Sequence, residues 1–499
     1  MSSLVQEPAP PDRVGAEGGG LTSTLYERIA ERILASIRDG TLVTGQRLPS
    51  VRRASEQFDV SVTTVLEAYR RLEDRGVIEA RPQSGYYVRR KPDAPPAPAR
   101  TATNERAAEL TISDLVLRVI QDWRAPGLVA NFGVAAPSPN VIHATRLDRL
   151  LARSIRRGTV DALAYDSPAG LEQLRLQIAR RALDLGMSLA PDDIITTCGG
   201  QNAVRLCLEA VTRPGDTVVI ETPTYFGLLE VLESLHLRAL EVATFPEHGI
   251  CLDALEEAMR RHRVAACVLC PTYGNPLGHC MPDEKKKRLA VLLERAGVPL
   301  VEDDVYGDLT FEARRPPPVK AFDTGGNILL CSSFSKTLAP GLRVGWAAPG
   351  RYRRAVERLK FNSMLAVPTP TQIAVAGFLE EGGYDRHLRR LRRACAELVA
   401  RTSDAVSRSF PPGTRVSRPR GGCVLWVELP AGFDSLRLYE QARAERIAIA
   451  PGPIFSATER YQNCFRLAAS TPWTPAVERA MERLGELVGE QVPPGVSSA

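Results

Sequence analysis

The side chains best suited to chemistry sit where apolar runs end. Ser332-Ser333-Phe334-Ser335-Lys336 closes the run NILLCSS, and Arg343 follows in LAPGLRVGW. A lysine just past a buried strand can be held at a pocket mouth, where desolvation makes its amine a nucleophile. Ser333 and Arg343 can both reach one anionic group, the arginine through a bidentate pair. Val301-Glu302-Asp303-Asp304-Val305-Tyr306 closes a second run. Asp303 can there face a cationic ring, while Asp304 is open to the simpler role of capping the next turn. Thr197-Cys198-Gly199-Gly200-Gln201 opens a helix, and glycines at such a start let backbone N–H groups meet a phosphate. A Gly-Gly before a helix is also a common turn. Pro223-Thr224-Tyr225 offers an aromatic face, and Pro271-Thr272-Tyr273-Gly274-Asn275-Pro276 offers either the amide of Asn275 or an ordinary Asn-Pro turn.

Pyridoxal phosphate asks these things of a protein: an imine-forming lysine, a carboxylate opposite its ring nitrogen, a phosphate cradle, a stacking ring and a partner for its phenolic oxygen. From about 130 to 485 the set strongly resembles the fold-type I aminotransferases. The shared order is Tyr165, Gly200-Gln201, Tyr225, Asn275, Asp303, Tyr306, Ser333, Lys336, Arg343 and Arg466. The resemblance implies that Lys336 is the catalytic internal-aldimine lysine and that Asp303 partners the pyridine nitrogen. It implies that Asn275 and Tyr306 bind the phenolic oxygen and that Tyr225 stacks. Gly200, Gln201, Ser333, Ser335 and Arg343 would hold the cofactor's phosphate end, joined by Tyr165 from a second subunit. Arg466, in NCFRLAAS, would grip the α-carboxylate of an amino acid. The family's usual turn is N-P-T-G; here it is Asn275-Pro276-Leu277-Gly278, which keeps the amide.

The elements that must carry these residues are legible as alternation. The apolar runs TVVIE (217–221), AACVLC (265–270), VPLVED (298–303) and NILLCSS (327–333) are separated by helical patterns. That alternation predicts a mostly parallel sheet covered by helices on both faces. The expected fold class is α/β: a large fold-type I domain over 111–490, with a smaller C-terminal α+β subdomain from about 375. No internal repeat is visible. The sequence has 499 residues, of which 44% are hydrophobic and 24% charged, so the bulk reads as soluble and globular. No apolar run is long enough to span a membrane, and the first residues do not read as a signal peptide. The expected compartment is the cytoplasm. Ten cysteines are scattered, apart from Cys267 and Cys270. These lie in VAACVLC and read as buried strand rather than half of a zinc site. No metal is expected.

Upstream, residues 1–20 read as a disordered tail and 92–110 as a Pro/Ala-rich extended linker without a core of its own. The tail 491–499 reads as frayed. Residues 21–91 hold 13 Lys/Arg against 9 Asp/Glu, a balance that suits a polyanion without demanding one. Thr24 and Glu27 form a capping-box pattern for a helix along Leu25, Ile29, Ile33, Leu34 and Ile37, ended by Gly40. A second helix fits Ser50 to Phe58. After a tight turn at Asp59-Val60, Ser61 caps a third, Val62 to Arg75, predicted to bury Val62, Val65, Leu66, Tyr69 and Leu72 and to stop at Gly76. Strands at 77–80 and 86–90 form a hairpin.

This order is that of a winged helix-turn-helix, whose third helix enters the major groove by its N-terminal end. The candidate DNA contacts are Ser61, Thr63 and Thr64 at that end, Arg47, Ser50, Arg52 and Arg53 beside it, and Gln83, Ser84 and Gly85 at the hairpin tip. From Leu25 to Val88 the stretch closely resembles the DNA-binding domain of the GntR family of regulators. LPSVR, the S-x-T-T-V helix start, AY-x-x-L, G-x-I and SG-Y-x-V appear in family order. Many members carry Arg after the capping serine; here it is Val62. Nearly the whole chain resembles the MocR subfamily, which implies a homodimer, pyridoxal phosphate as cofactor, and an amino acid or amine effector sensed through an external aldimine and relayed to operator DNA. Two other readings fit the same residues: a working aminotransferase with a fused DNA-binding module, and a dimerisation scaffold that has lost its chemistry.

Overall fold

The computed structural model describes residues 24–74, 77–81, 84–89, 95–110, 114–138, 145–156 and 164–491. The chain divides into two units, Met1–Pro92 and Asp93–Ala499. In the first, α1 (Leu25–Arg38) starts behind Thr24, whose backbone N–H donates to Glu27 Oε2 at 3.0 Å. The helix stops where Gly40 takes φ +81°, a left-handed conformation that favours glycine. Ser50 Oγ accepts from the Arg53 N–H at 3.3 Å and so caps α2 (Val51–Phe58). Ser61 Oγ accepts from the Thr64 N–H at 3.2 Å and caps α3 (Val62–Asp74). The Tyr69 hydroxyl donates to the Pro49 carbonyl at 2.9 Å, tying α3 to the turn before α2. A hairpin of β1 (Ile78–Arg81) and β2 (Gly85–Val88) completes the unit, with Ile78 opposite Val88 and Arg81 opposite Gly85.

One expectation here is corrected. Val65, Tyr69 and Leu72 are fully buried as predicted, but Val62 is 43% and Leu66 38% exposed. Ala68 completes the core stripe with Val65, Tyr69 and Leu72, leaving Val62 and Leu66 off it. Gly76, the expected helix stop, and Gln83, at the hairpin tip, lie outside the described residues.

In the second unit, β3 (Ala130–Asn131) joins a small subdomain considered below. The main sheet comprises β4 (Ile195–Thr197), β5 (Thr217–Thr222), β6 (Arg238–Phe245), β7 (Gly249–Ile250), β8 (Val264–Leu269), β9 (Leu300–Asp303), β10 (Ile328–Ser333) and β11 (Gly345–Ala348). Their order is β4-β11-β10-β9-β8-β5-β6-β7. The four strands anticipated from apolar runs are consecutive neighbours, all parallel. Only β11 and β7 run against the rest. Successive side chains point to opposite faces. On β5, Val218 and Ile220 pack beneath the Gly200–Val211 helix, while Val219 enters the core under Leu252–Arg261 and Asp283–Ala296. Both faces are therefore dry, which is why these strands read as continuous apolar runs.

The small subdomain is an antiparallel sheet of β12 (Arg415–Val416), β13 (Val424–Glu428), β15 (Ala450–Pro451) and β16 (Cys464–Ala468), with β14 (Ile447–Ala448) pairing β3 in parallel. Its core also takes Val116, Val119, Trp123 and Phe132, from a segment 250 or more residues upstream in the chain. Residues 95–110, read from sequence as a linker with no core of its own, are extended and bonded along this unit. Ala108 bridges Ala239 on β6, and Asn104 N–H donates to the Glu241 carbonyl at 2.9 Å. Thr101 Oγ1 donates to the Thr222 carbonyl at 2.8 Å, and the Pro96 carbonyl accepts from the Val416 N–H at 2.9 Å. The segment thereby touches both the main sheet and the small one. No helix among the described residues is long and apolar enough to cross a membrane.

Candidate functional site

The C-terminal ends of parallel strands leave a crevice, because each chain must turn away there toward its helix. A cavity of about 180 Å³ lies at those ends. Lys336 and Ser333 reach it from the end of β10, and Asp303 and Tyr306 from the end of β9. Asn275 comes from the turn after β8, and Tyr225 from the start of the Phe226–Ser234 helix that follows β5. Gly200, Gln201, Ser335 and Arg343 line the same space.

Two predicted residues lie elsewhere. Tyr165 is 84% exposed and does not line its own chain's cavity. Arg466, on β16, is almost wholly buried behind the cavity wall. Its Nη1 donates to Asn275 Oδ1 at 3.4 Å and its Nη2 to the Gly133 carbonyl, while Nε has no partner. The guanidinium lies between the Trp123 and Phe455 rings, 5.4 and 5.5 Å from their centroids. Burial lowers its proton affinity.

The Gly199-Gly200 turn is built tightly. Gly199 takes φ +87°, and a Cβ there would fall 2.3 Å from Arg343 Nη2. A Cβ on Gly200 would fall 2.8 Å from Val305 Cγ1. The helix they open presents first-turn N–H groups with no intrahelical acceptor. Arg343 Nη2 donates to the Cys198 carbonyl at 2.9 Å, and Nη1 lies 3.4 Å from Ser335 Oγ. Ser333 Oγ is 2.9 Å from Ser335 Oγ. Gln201 Nε2 donates to the Gly227 carbonyl at 3.3 Å.

The electrostatics are those of a site prepared for a partner. Burial, reinforced by Asp304, pushes the Asp303 carboxyl up to about 7, and its Oδ1 has no hydrogen-bond partner. Burial also holds the Lys336 ammonium below the ordinary lysine range, with the nearby Arg466 and Arg343 cations acting in the same direction. Lys336 Nζ is 5.6 Å from the Tyr306 ring centroid. The Tyr306 hydroxyl donates to the Ala135 carbonyl at 3.0 Å, and burial drives its proton loss far up. Burial likewise raises Tyr225.

Sequence reasoning missed several contributors. Cys270 lines the cavity, one residue past the end of β8, while Cys267 is inside the core. Val305, two residues past the end of β9, lines the cavity and fills the space where a Cβ on Gly200 would fall. Arg315 pairs with Asp304 and, at 2.8 Å, with Asp308, so Asp304 is an ion-pair partner rather than a turn cap. No group of three His, Cys, Asp or Glu side chains among the described residues is arranged to hold a metal.

In the first unit, Arg52 and Arg53 are exposed near the start of α2, and Ser61, Val62 and Thr63 are exposed at the start of α3. Ser61 Oγ lies 2.8 Å from Thr63 Oγ1 and 2.7 Å from Thr64 Oγ1. Ser50 is occupied as a cap. At the wing, Ser84 Oγ lies 2.6 Å from Tyr87 Oη, and Gly85, at φ +102°, lets the Arg47 side chain pass close.

Against known proteins, residues 130–484 match the family described as aminotransferase class I and II, and residues 25–88 match the bacterial regulatory proteins of the gntR family. The chain is 40% identical to the uncharacterized HTH-type transcriptional regulator YdcR of Escherichia coli (strain K12) over 94% of this chain and 99% of that one. It is 38% identical to the uncharacterized HTH-type transcriptional regulator YjiR of the same strain, over 93% and 99%. Among solved structures, the α-aminoadipate aminotransferase LysN of Thermus thermophilus, complexed with N-(5'-phosphopyridoxyl)-L-leucine, superposes with a TM-score of 0.70 at 29% identity. That match covers 77% of this chain and 96% of LysN.

Proposed function

The chain belongs to the class I and II aminotransferase family and carries a gntR-family domain, and from that premise we propose that it is a pyridoxal-phosphate-dependent, DNA-binding transcription regulator of the MocR type. The observation that carries the reading is a lysine-bearing, anion-cradling cavity in the same chain as a winged helix-turn-helix.

The cofactor is pyridoxal 5'-phosphate, and the residues present fit it. The orphaned Oδ1 of Asp303, which lines the cavity, calls for a donor, as a protonated ring nitrogen would be. The Gly199-Gly200 cradle, with Ser333, Ser335 and Arg343, suits a phosphate and has no room for a Cβ. When bound, the cofactor supplies an aldehyde that condenses with amines and a ring that withdraws electrons. Lys336 contributes the resident amine, kept reactive by desolvation. Asp303 would hold the ring cation, Tyr225 would cover the ring face, and Asn275 would donate toward the phenolic oxygen. Tyr306 would orient the same edge through its fixed hydroxyl. Arg466 would anchor an incoming carboxylate: its unpartnered Nε and apolar sandwich make it a buried cation short of an anion. An amino acid whose carboxylate Arg466 held would present its own amine as a rival to that of Lys336.

The 84% exposure of Tyr165 supports a homodimer in which this tyrosine serves the partner's phosphate cradle. Ligand exchange can move the DNA-binding modules only through a difference in affinity for two arrangements of the chain. Arg52, Arg53 and the start of α3 would meet phosphates and base edges.

The test uses the full chain. Pyridoxal phosphate should produce a near-visible absorbance band, and the holoprotein should retard duplex DNA from its own upstream region. Arg52→Ala and Thr64→Ala should each weaken that retardation. A colourless protein, or retention unaffected by both substitutions, would overturn the reading. A second reading, a working aminotransferase with a fused module, is favoured by one observation: Lys336 and Asp303 line one cavity, and the buried Arg466 bonds to Asn275 of its lining. Sustained conversion of an amino acid with an oxo-acid acceptor at ordinary enzyme rates would establish it.

A further inference from the structure

The recognition helix carries an apolar pair that the fold does not use. Val62 opens α3 and Leu66 follows one turn later, so the two share a face. They remain 43% and 38% exposed although Val65, Ala68, Tyr69 and Leu72 of the same helix are fully buried. Arg70 continues the same four-residue spacing and is also exposed. A β-branched residue in the first turn brings little helix propensity, and this one brings no core packing. The polar groups beside it are turned on one another: Ser61 Oγ takes the Thr64 N–H and lies within 2.8 Å of both neighbouring threonine hydroxyls. The outward chemistry of this helix start is therefore mainly hydrocarbon.

Resting on the DNA-binding reading above, we propose that Val62 and Leu66 form a subsite for the 5-methyl group of thymine in the major groove. In that groove a methyl is the one apolar feature that bases display, and it belongs to thymine alone among the four. An arginine at position 62 would instead pair with the guanine edge. The surroundings favour nucleic acid over a protein partner. Two side chains offer far less than the roughly 800 Å² per partner that a stable protein interface needs. The patch opens the positive end of a helix, and the exposed Arg52 and Arg53 nearby have no ion-pair partner among the described residues. The position that departs from the common arginine of the resembled family is thus a change in the base read.

The test selects sites from a randomised duplex pool with the full-length holoprotein. The recovered sites are then resynthesised with deoxyuridine, which lacks the methyl, at each thymidine in turn. One position per half-site should weaken binding about 4-fold, the scale of one buried methyl. Val62→Ala and Leu66→Ala should each shrink that thymine-to-uracil ratio toward 1 while keeping phosphate-driven retention. Val62→Arg should move the preferred base at that position to guanine. Selected sites that bind equally well with uracil at every position would overturn the subsite and leave DNA binding intact. Failure to recover any duplex would remove both. A wild-type protein that self-associates without DNA and loses that association in Val62→Ala would assign the patch to a second copy and overturn the proposal.

Discussion

Asp303 and Asp304 are consecutive at the end of β9, yet of the two only Asp304 forms an ion pair, with the Arg315 guanidinium, while Asp303 lines the cavity and its Oδ1 has no hydrogen-bond partner. A buried carboxylate oxygen without a donor is costly unless a ligand completes it. The contrast leaves Asp303 as the acid open to a ligand, and it sets the first prediction.

Cofactor-free protein should be less stable at pH 8 than its Asp303→Asn variant, with the gap closing as pH falls toward 5. The folded-state carboxyl is raised to about 7 from its ordinary value near 4. The folded protein therefore binds the proton more tightly than the unfolded chain. Ionisation costs stability progressively from about pH 4 and fully above about pH 7, by at most about 4 kcal/mol. Urea unfolding followed by tryptophan fluorescence reads this directly, since Trp123, Trp346, Trp426 and Trp473 all lie in the second unit. A gap independent of pH would contradict the assignment.

Lys336→Ala should keep the fold and lose the cofactor's near-visible absorbance. Among the described residues Lys336 is the one lysine that lines the cavity, so no other amine there can replace it. Retained absorbance at equal pyridoxal phosphate concentration would place the reactive amine elsewhere.

Arg466→Lys should weaken an amino acid effector by ~10- to 100-fold, the scale of a charge-assisted bidentate pair. An amine without a carboxylate should be affected far less. Titration followed through the cofactor's absorbance separates the two ligand classes. Equal losses for both would mean that the substitution had merely disturbed the wall formed by Trp123 and Phe455.

Asn104→Ala should destabilise the second unit by ~1–3 kcal/mol. Its side chain donates to Glu241, a fully buried carboxylate that also accepts from Ser456 Oγ and the Ala457 N–H, each at 2.9 Å. Removing one donor leaves part of that charge unanswered. Unchanged urea unfolding would show that residues 95–110 dock too weakly to matter.

Much of this molecule is legible in its residues alone. Strands buried on both faces must be apolar throughout, so the runs ending at Asp303 and Ser333 announced both the sheet and the site at its ends. Ser50, Ser61 and Thr24 announced helix starts because capping is a local hydrogen bond. What sequence could not reveal depends on which surfaces meet. Periodicity placed Val62 and Leu66 in the core, but Ala68 with Val65, Tyr69 and Leu72 already fills it. Composition made 95–110 a linker, yet β6 and the small sheet offer it partners for its backbone groups. Trp123 and Phe132 enter a subdomain built mostly from residues after 380. Arg466 is buried beside the site only because Asn275, Gly133 and two aromatic rings close around it from distant parts of the chain. Local propensity and burial pattern are properties of neighbouring residues. Charge without a partner, and apolar surface without a cover, exist only once the whole chain has packed.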